Sequence, residues 1–514
     1  MDKRTLIAVI LSLIVLLGWS YLFKQKQVPM EPMPEQQAAA PLKTAPPART
    51  GTVKPVMQIP GAYPSAAMAE ANDVVVETDL YKAVFSTGGA IVKYWELKTY
   101  KDKDKMPVVL LAEPGPAPAL GIIFEGPDRN LPQEWVYTVN TKKLTLSGRG
   151  SSKGELIFTY SSQGISIIKK FVFHNNDYKI DFSLEAVNTP SFMLSLGTDF
   201  GIFDKEGGSR SHSGPVILVD TDKTEFTEKS ENKYLTGNIR WIAQEDQYFT
   251  AAIIPLDPIE GASVWKEKDA PEIALNLAPQ KYDFTFYVGP KEYDRLKALN
   301  AGLEYIVDFG WFSIVAMPLF WTLKFFYKYM GNYGWAIIFL TILVRVPFIP
   351  ILHKSQQSMK KMQKIQPLMA ELKEKYKNDS VKMQKEMMQL YKKHKVNPVG
   401  GCLPMFLQVP VFIALYNVLL KAIELRGAPF VLWITDLASK DPYYVLPVIM
   451  GITMVIQQKM TPTAMDPKQA KMMMLMPIVF TFMFLQFAAG LVLYWLVNNI
   501  LGIIQQYYAN KKAA

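Results

Sequence analysis

From residue 472 to residue 510 no side chain carries a formal charge, an unbroken run of 39 residues. A helix crosses the ~30 Å core of a bilayer in about 20 residues, so this run is close to two crossings long. Ala488-Ala489-Gly490 offers a tight turn near its middle, with Lys468 and Lys471 before the run and Lys511 and Lys512 after it. Only helices and closed barrels satisfy their backbones in lipid. The run is therefore expected to be a helical hairpin, residues 472–488 and 490–510, with both ends on one side of a membrane.

Four further spans are expected on the same grounds. Residues 5–23 are 19 uncharged positions flanked by Lys3-Arg4 and by Lys24 and Lys26. The run exceeds the roughly 7–15-residue apolar core of a signal peptide, and Gly18-Trp19-Ser20 fits a cleavage site poorly. Residues 1–27 are accordingly expected to be an uncleaved anchor. Residues 329–352 hold one charge, Arg345, while 396–420 are uncharged for 25 residues and 442–458 for 17. The total is six spans, the second extending over 329–353.

The rest of the chain is not membrane-like. Residues 28–64 contain nine prolines and a single aromatic, Tyr63, a composition that reads as a semi-extended linker. Over 65–300 short apolar runs recur between turn residues, among them Leu156-Ile157-Phe158-Thr159-Tyr160 and Ile165-Ser166-Ile167-Ile168. Their period-two alternation predicts half-buried strands and a large β-sandwich. Within 301–328, the stretch 308–328 is rich in Trp and Phe, with Lys324 and Lys328 one turn apart and Pro318 interrupting it. It fits an amphipathic helix lying on the outer surface better than another span.

Charge orients these pieces. The loop 354–395 has 12 Lys and 4 acidic residues, a net of +8; 459–471 is +2, the last Lys pair adds +2, and 421–441 is neutral. Residues 24–328 hold 33 basic and 37 acidic residues, a net of −4. The positive-inside rule then places both termini and the +8 loop in the cytoplasm and the β-domain outside the inner membrane. The overall +10 is mostly a topology signal.

Several chemistries find no support. The one cysteine, Cys402, precludes an intrachain disulfide and a thiol zinc cluster. His174, His212, His353 and His394 have no ligand spacing, and no Walker loop, HExxH or GxSxG occurs. No catalytic residue, metal or cofactor is expected, and an enzyme is disfavoured.

The intramembrane polar residues carry the functional signal. An arginine keeps its charge, and one at mid-membrane costs about 2.5–3.5 kcal/mol or more, so Arg345 should face protein or water. It lies eight residues before His353, about 12 Å from the cytoplasmic end, with Thr341 one turn earlier on the same face. Counted inward from their cytoplasmic ends, the other spans put Gln408, Thr453, Gln457, Asn498, Asn499 and Gln505 in the inner half or middle of the bilayer. The outer halves are apolar apart from Asn417 and Gln486. That distribution describes a wet groove open to the cytoplasm and closed outside. No acidic residue occurs in the last five spans to pair with Arg345, whose other reading is a snorkelling side chain satisfying carbonyls.

The +8 loop reads as a cytoplasmic hairpin of two helices, 355–377 and 381–395, with Ser380 as N-cap of the second. Its basic face suits membrane lipid headgroups or ribosomal RNA equally well.

Five motifs in order carry a resemblance: Phe339-Leu340-Thr341-Ile342-Leu343-Val344-Arg345, Asn397-Pro398-Val399-Gly400-Gly401-Cys402, Glu424-Leu425-Arg426-Gly427-Ala428-Pro429-Phe430, Asp441-Pro442-Tyr443-Tyr444, and Gly490-Leu491-Val492-Leu493-Tyr494-Trp495. Over essentially its whole length the chain resembles the YidC/Oxa/Alb membrane protein insertases in their six-span Gram-negative form. The resemblance implies a polytopic α-helical membrane protein with six transmembrane helices, a five-helix insertase core and a periplasmic β-supersandwich. It implies that Arg345 sits in a hydrophilic groove, and that Thr341, Tyr494 and Trp495 line the path along which a nascent helix slides into lipid. That position is commonly tyrosine in the family, so Trp495 lacks the hydroxyl. The partners implied are nascent membrane proteins, SecYEG, SecDF and the ribosome, the last at the basic hairpin and C-terminus. The competing function is a secondary transporter of a small anionic solute, which should show matching halves or paired intramembrane ionisable residues.

Overall fold

Alternation of apolar and polar residues builds the N-terminal part of the molecule. The computed structural model describes residues 71–102, 104–124, 135–148, 150–203, 212–267, 270–394, 396, 403–460 and 467–511. The anchor and linker expected over 1–64, and the motif 397–402 with Cys402, lie outside the described residues. Among the described residues from Asp73 to Pro290, nineteen strands form a nine-stranded antiparallel sheet and two five-stranded sheets. Strand Ile165–His174 shows why: Ile165, Ile167, Phe171 and Phe173 are buried, while Ser166, Ile168 and Lys170 are partly exposed. Phe171 stacks on Phe182 from the next strand at 4.6 Å and meets Phe85 of the facing sheet at 5.2 Å. Such aromatic pairs, across strands and across sheets, fill the sandwich.

One inward position of that strand is charged. Lys169 is fully buried, and its Nζ donates to the main-chain oxygens of Gly89, Ala90 and Leu120 at 3.0, 3.1 and 2.7 Å. All three ammonium donors are thereby used. Burial alone pulls its pKa down to about 7.

Ten α-helices follow among the described residues: α1 (Tyr293–Ala298), α2 (Ser313–Met330), α3 (Tyr333–Arg345), α4 (Ile349–Lys364), α5 (Gln366–Lys375), α6 (Ser380–Lys393), α7 (Leu403–Lys421), α8 (Val445–Met460), α9 (Pro467–Phe484) and α10 (Ala489–Lys511). Among the described residues, Tyr333–Lys364 and Ala489–Lys511 are long and apolar enough to cross a membrane; Gln408–Lys421, Val445–Met460 and Met474–Phe484 are shorter apolar helices. α2 ends where Gly331 adopts φ 63°, the left-handed conformation that glycine enters without a Cβ penalty. The chain then turns back, Tyr327 of α2 stacking on Tyr333 of α3 at 3.8 Å. α2 buries Ala316, Leu319, Phe320 and Leu323 while Trp321, Phe325 and Tyr329 remain exposed.

Local details differ from the sequence reading. The first helix expected in the hairpin is two, α4 and α5, broken at Ile365, because Pro367 has no N–H for the helical ladder and suits only a first turn. α4 also continues from α3 through a single tight turn at Val346–Phe348 rather than starting afresh at 355. The cap of α6 is Asp379, not Ser380: its carboxylate accepts the Lys382 N–H at 3.0 Å, and Ser380 is already helical. The turn expected at 488–490 lies at 485–488, and Gly490 belongs to α10.

The β-domain and the helices are joined through the 421–441 loop. The Arg426 guanidinium lies over the rings of Phe249, Phe203 and Tyr248 at 4.9, 5.2 and 5.3 Å, and Gln247 donates to the Leu420 carbonyl at 2.7 Å.

Candidate functional site

Arg345 is the last residue of α3, and its position follows from how that helix is anchored. Asn332 caps the helix by accepting the N–H groups of Gly334 and Trp335 at 2.9 and 3.2 Å. The same side chain donates to the carbonyls of Pro429 and Phe430, tying the N-terminal end of α3 to the 421–441 loop. Thirteen residues later the half-buried Arg345 reaches across to α10. Its Nη1 donates to the main-chain oxygen of Asn498 at 3.1 Å and to Oδ1 of the same residue, and its Nη2 to Gln505 Oε1 at 3.4 Å. Among the described residues no carboxylate lies within 4.0 Å of it. The charge is hydrogen-bonded by neutral oxygens and left electrostatically uncompensated.

The other polar residues fall into separate groups. Gln457 of α8 belongs with Arg345: a methyl group at Gly502 would stand 2.5 Å from Gln457 Nε2 and 3.2 Å from Arg345 Nη2. Thr453 and Asn499 form a second group, between α8 and α10: Asn499 Nδ2 donates to Thr453 Oγ1 at 3.2 Å, and Thr453 Oγ1 donates to the Met450 carbonyl at 2.7 Å. Asn499 is buried there, 4% exposed. Gln408 of α7 donates its Nε2 proton to the Tyr494 hydroxyl. Thr341 joins none of these, because its Oγ1 donates to the Ile337 carbonyl of its own helix at 2.6 Å. Trp495 stands apart among Phe412, Phe484 and Phe480, at 4.9, 5.1 and 6.0 Å. Asn417, near the outer interface in the sequence reading, donates to the Phe309 carbonyl at 2.8 Å.

A cleft of about 350 Å³ opens beside Arg345, between α3–α4 and α10, with walls from Ile342, Ile349, His353, Ile504 and Gln505. Below it Gln356 bonds Gln506 at 2.8 Å and Lys360 bonds the Ala509 carbonyl at 2.6 Å, fastening α4 to α10. Sequence reading did not single out Gly502, Gln506 or Gln356. A signal existed for Gly502, since 498, 502 and 505 fall at i, i+4 and i+7 on one helical face. Among the described residues no three His, Cys, Asp or Glu side chains converge as metal ligands. The arrangement presents a fixed cation, amide dipoles and a cleft with apolar walls, which can bind and orient an anionic or polar segment without bond chemistry.

Two family models match the chain: YidC periplasmic domain over residues 73–322 and 60Kd inner membrane protein over 325–514. The membrane protein insertase YidC of Geotalea daltonii is 45% identical, the match covering 99% of each chain. That of Geobacter metallireducens is 43% identical over 100% of this chain and 99% of its own. A crystal structure of an active YidC insertase with its first transmembrane domain resolved aligns at 19% identity and TM-score 0.40, covering 86% of this chain and 94% of that one. Matches of this identity, running end to end, make the chain a member of the YidC family of membrane protein insertases.

Proposed function

We propose that the chain inserts and helps fold inner-membrane proteins, acting as an insertase and chaperone and not as an enzyme. The observation that carries the mechanism is the uncompensated Arg345, held on Asn498 and Gln505 beside an open cleft. A polar or acidic tail of a nascent protein is drawn toward this charge from the cytoplasm, which shortens its crossing. Arg345, Gln408, Thr453, Gln457, Asn498, Asn499 and Gln505 make up the groove, with Thr341 on its wall, and Tyr494 and Trp495 form the slide toward lipid. Burial of the substrate's apolar segment in lipid then drives release, at about 25 cal/mol per Å².

The topology that goes with this has six spans, both termini cytoplasmic and the β-domain periplasmic, supported by the charge of every short loop. SecYEG, SecDF and the ribosome are the partners proposed from family resemblance, the ribosome at the basic hairpin and C-terminus. Membrane lipids complete the groove. The test compares Arg345→Lys, Arg345→Ala and Arg345→Glu for insertion of substrates with acidic and neutral tails. Lys should retain most insertion, while Glu should lose the acidic-tailed substrate preferentially. Equal handling of both tails by all three variants would sink the electrostatic role. Crosslinking from Ile342 or Ile349 to ribosome-bound nascent chains separates an insertase from a small-anion transporter.

A further inference from the structure

Where the β-domain meets the outer end of the helices, a cleft of about 360 Å³ gathers three lysines and three carboxylates: Lys223, Lys291, Lys421, Glu225, Glu245 and Asp308. Water occupies about 30 Å³ per molecule in the liquid, so the space exceeds what a few bridging waters would fill. Two of the lysines are answered. Lys291 is buried in an ion pair with Glu245 and also donates to the Asp246 carbonyl at 2.9 Å. Lys223 pairs with Glu225 at 3.0 Å and stands 4.0 Å from Asp308.

Lys421 is different. As the last residue of α7, its ammonium donates to the main-chain oxygen of Asp308, and among the described residues no carboxylate lies within 4.0 Å of it. An ammonium has three donors, so two remain for something in the cleft. The carboxylates of the cleft equal its lysines in number, but Glu225 and Glu245 bond Lys223 and Lys291, which leaves Lys421 as the cation with donors to spare. The Asp308 carboxylate acts on Lys421 only through space: its Oδ1 accepts the Gly310 N–H at 2.7 Å and its Oδ2 stands 4.0 Å from Lys223.

The position indicates the source of an anion for those donors. Lys421 closes the apolar helix Gln408–Lys421, and Asp308 precedes Trp311 and Ile314, which are 74% and 81% exposed. An exposed tryptophan next to the end of an apolar helix marks headgroup depth. We infer that this cleft binds a phosphoester anion, with Lys421 as principal donor and Lys223 as the second, and that a phospholipid headgroup of the outer leaflet supplies it. The lipid source rests on the membrane topology proposed above; the anion site itself does not.

The test uses the purified full chain in detergent, titrated separately with short-chain phosphatidylglycerol and with soluble sn-glycerol 3-phosphate, with binding read by calorimetry. Lys421→Gln should weaken binding by about tenfold, as loss of a charged hydrogen bond does. Lys223→Gln should weaken it less, Lys421→Arg should retain it, and Lys440→Gln, outside the cleft, should leave it unchanged. Binding of the lipid alone assigns the site to the bilayer; equal binding of the soluble phosphoester assigns it to a free ligand. Retention by Lys421→Arg with loss in Lys421→Gln separates a binding role from a folding defect. The proposal is overturned if wild type binds neither ligand, or if wild type and Lys421→Gln bind both equally. Insertion is measured in parallel, so a failed insertase reading and a failed anion site give different results.

Discussion

Arg345 and Asn498 are joined twice across α3 and α10, the guanidinium bonding both the main-chain oxygen and the amide oxygen of the same asparagine. Asn498 therefore orients the charge without neutralising it. Asn498→Asp should preserve the geometry and cancel the charge. The ratio of acidic-tailed to neutral-tailed substrate inserted should fall several-fold, measured in proteoliposomes with both substrates. An unchanged ratio would show that the groove works by polarity alone.

Gly502 keeps the space in which Arg345 and Gln457 come together. In an ordinary helix, glycine to alanine is stabilising by about 1 kcal/mol. Here a methyl 2.5 Å from Gln457 Nε2 must displace that side chain. Gly502→Ala should reduce insertion without lowering the melting temperature, and adding Gln457→Ala should restore much of the activity. A double variant no better than the single one would refute the steric account.

Lys169 gives the β-domain a pH signature. Its folded pKa of about 7 lies below the 10.5 of an unperturbed lysine, so between those values the unfolded chain binds more protons than the folded one. Stability contributed by this site is therefore present at high pH and is lost as pH falls toward 7, by up to roughly 1.4 kcal/mol per unit. Denaturant melts of wild type and Lys169→Met between pH 7 and 10 test this. The wild-type slope should exceed the variant's. Lys169→Met should also be less stable by a few kcal/mol at pH 9, because the buried carbonyls of Gly89, Ala90 and Leu120 lose the two N–H donors that the neutral amine keeps at that pH.

Arg426 holds the 421–441 loop on the β-domain through three aromatic rings and a bond to the Lys101 carbonyl. Desolvated cation–π contacts are worth about 2 kcal/mol. Arg426→Ala should raise hydrogen exchange in the segment containing Tyr248 and Phe249, and Arg426→Lys should raise it less. Exchange confined to the loop itself would mean that the two parts are held together elsewhere.

Features with a period could be read from the sequence. Alternation marked Ile165 and Ile167 as inward, and long uncharged runs marked the helices. Depth counting selected Asn498 and Gln505, and both bond Arg345. What escaped depends on chain segments that meet only in the fold. Lys169 continues the inward register of its strand, yet its acceptors lie 49 to 80 residues away. Thr341 shares a face with Arg345, but a threonine in a helix can bond its own preceding turn, and this one does. The break at Ile365 was hidden because the spacing of Met359, Met362, Ile365, Leu368 and Met369 runs on across it.

The tight turn at Val346–Phe348 bends the path of α3 into α4 without severing it, so Tyr333–Lys364 is a continuous strut of 32 residues. At 1.5 Å per residue it measures about 48 Å, against a hydrocarbon thickness of about 30 Å. Its N-terminal end is clamped by Asn332 to the loop that carries Arg426, and its far end bears the basic hairpin. Arg345 sits between that clamp and a second fastening, where Gln356 and Lys360 bond α10. The strut is thus tied to α10 at three successive levels, Arg345, Gln356 and Lys360, so the helix that orients the guanidinium also anchors the root of the basic hairpin.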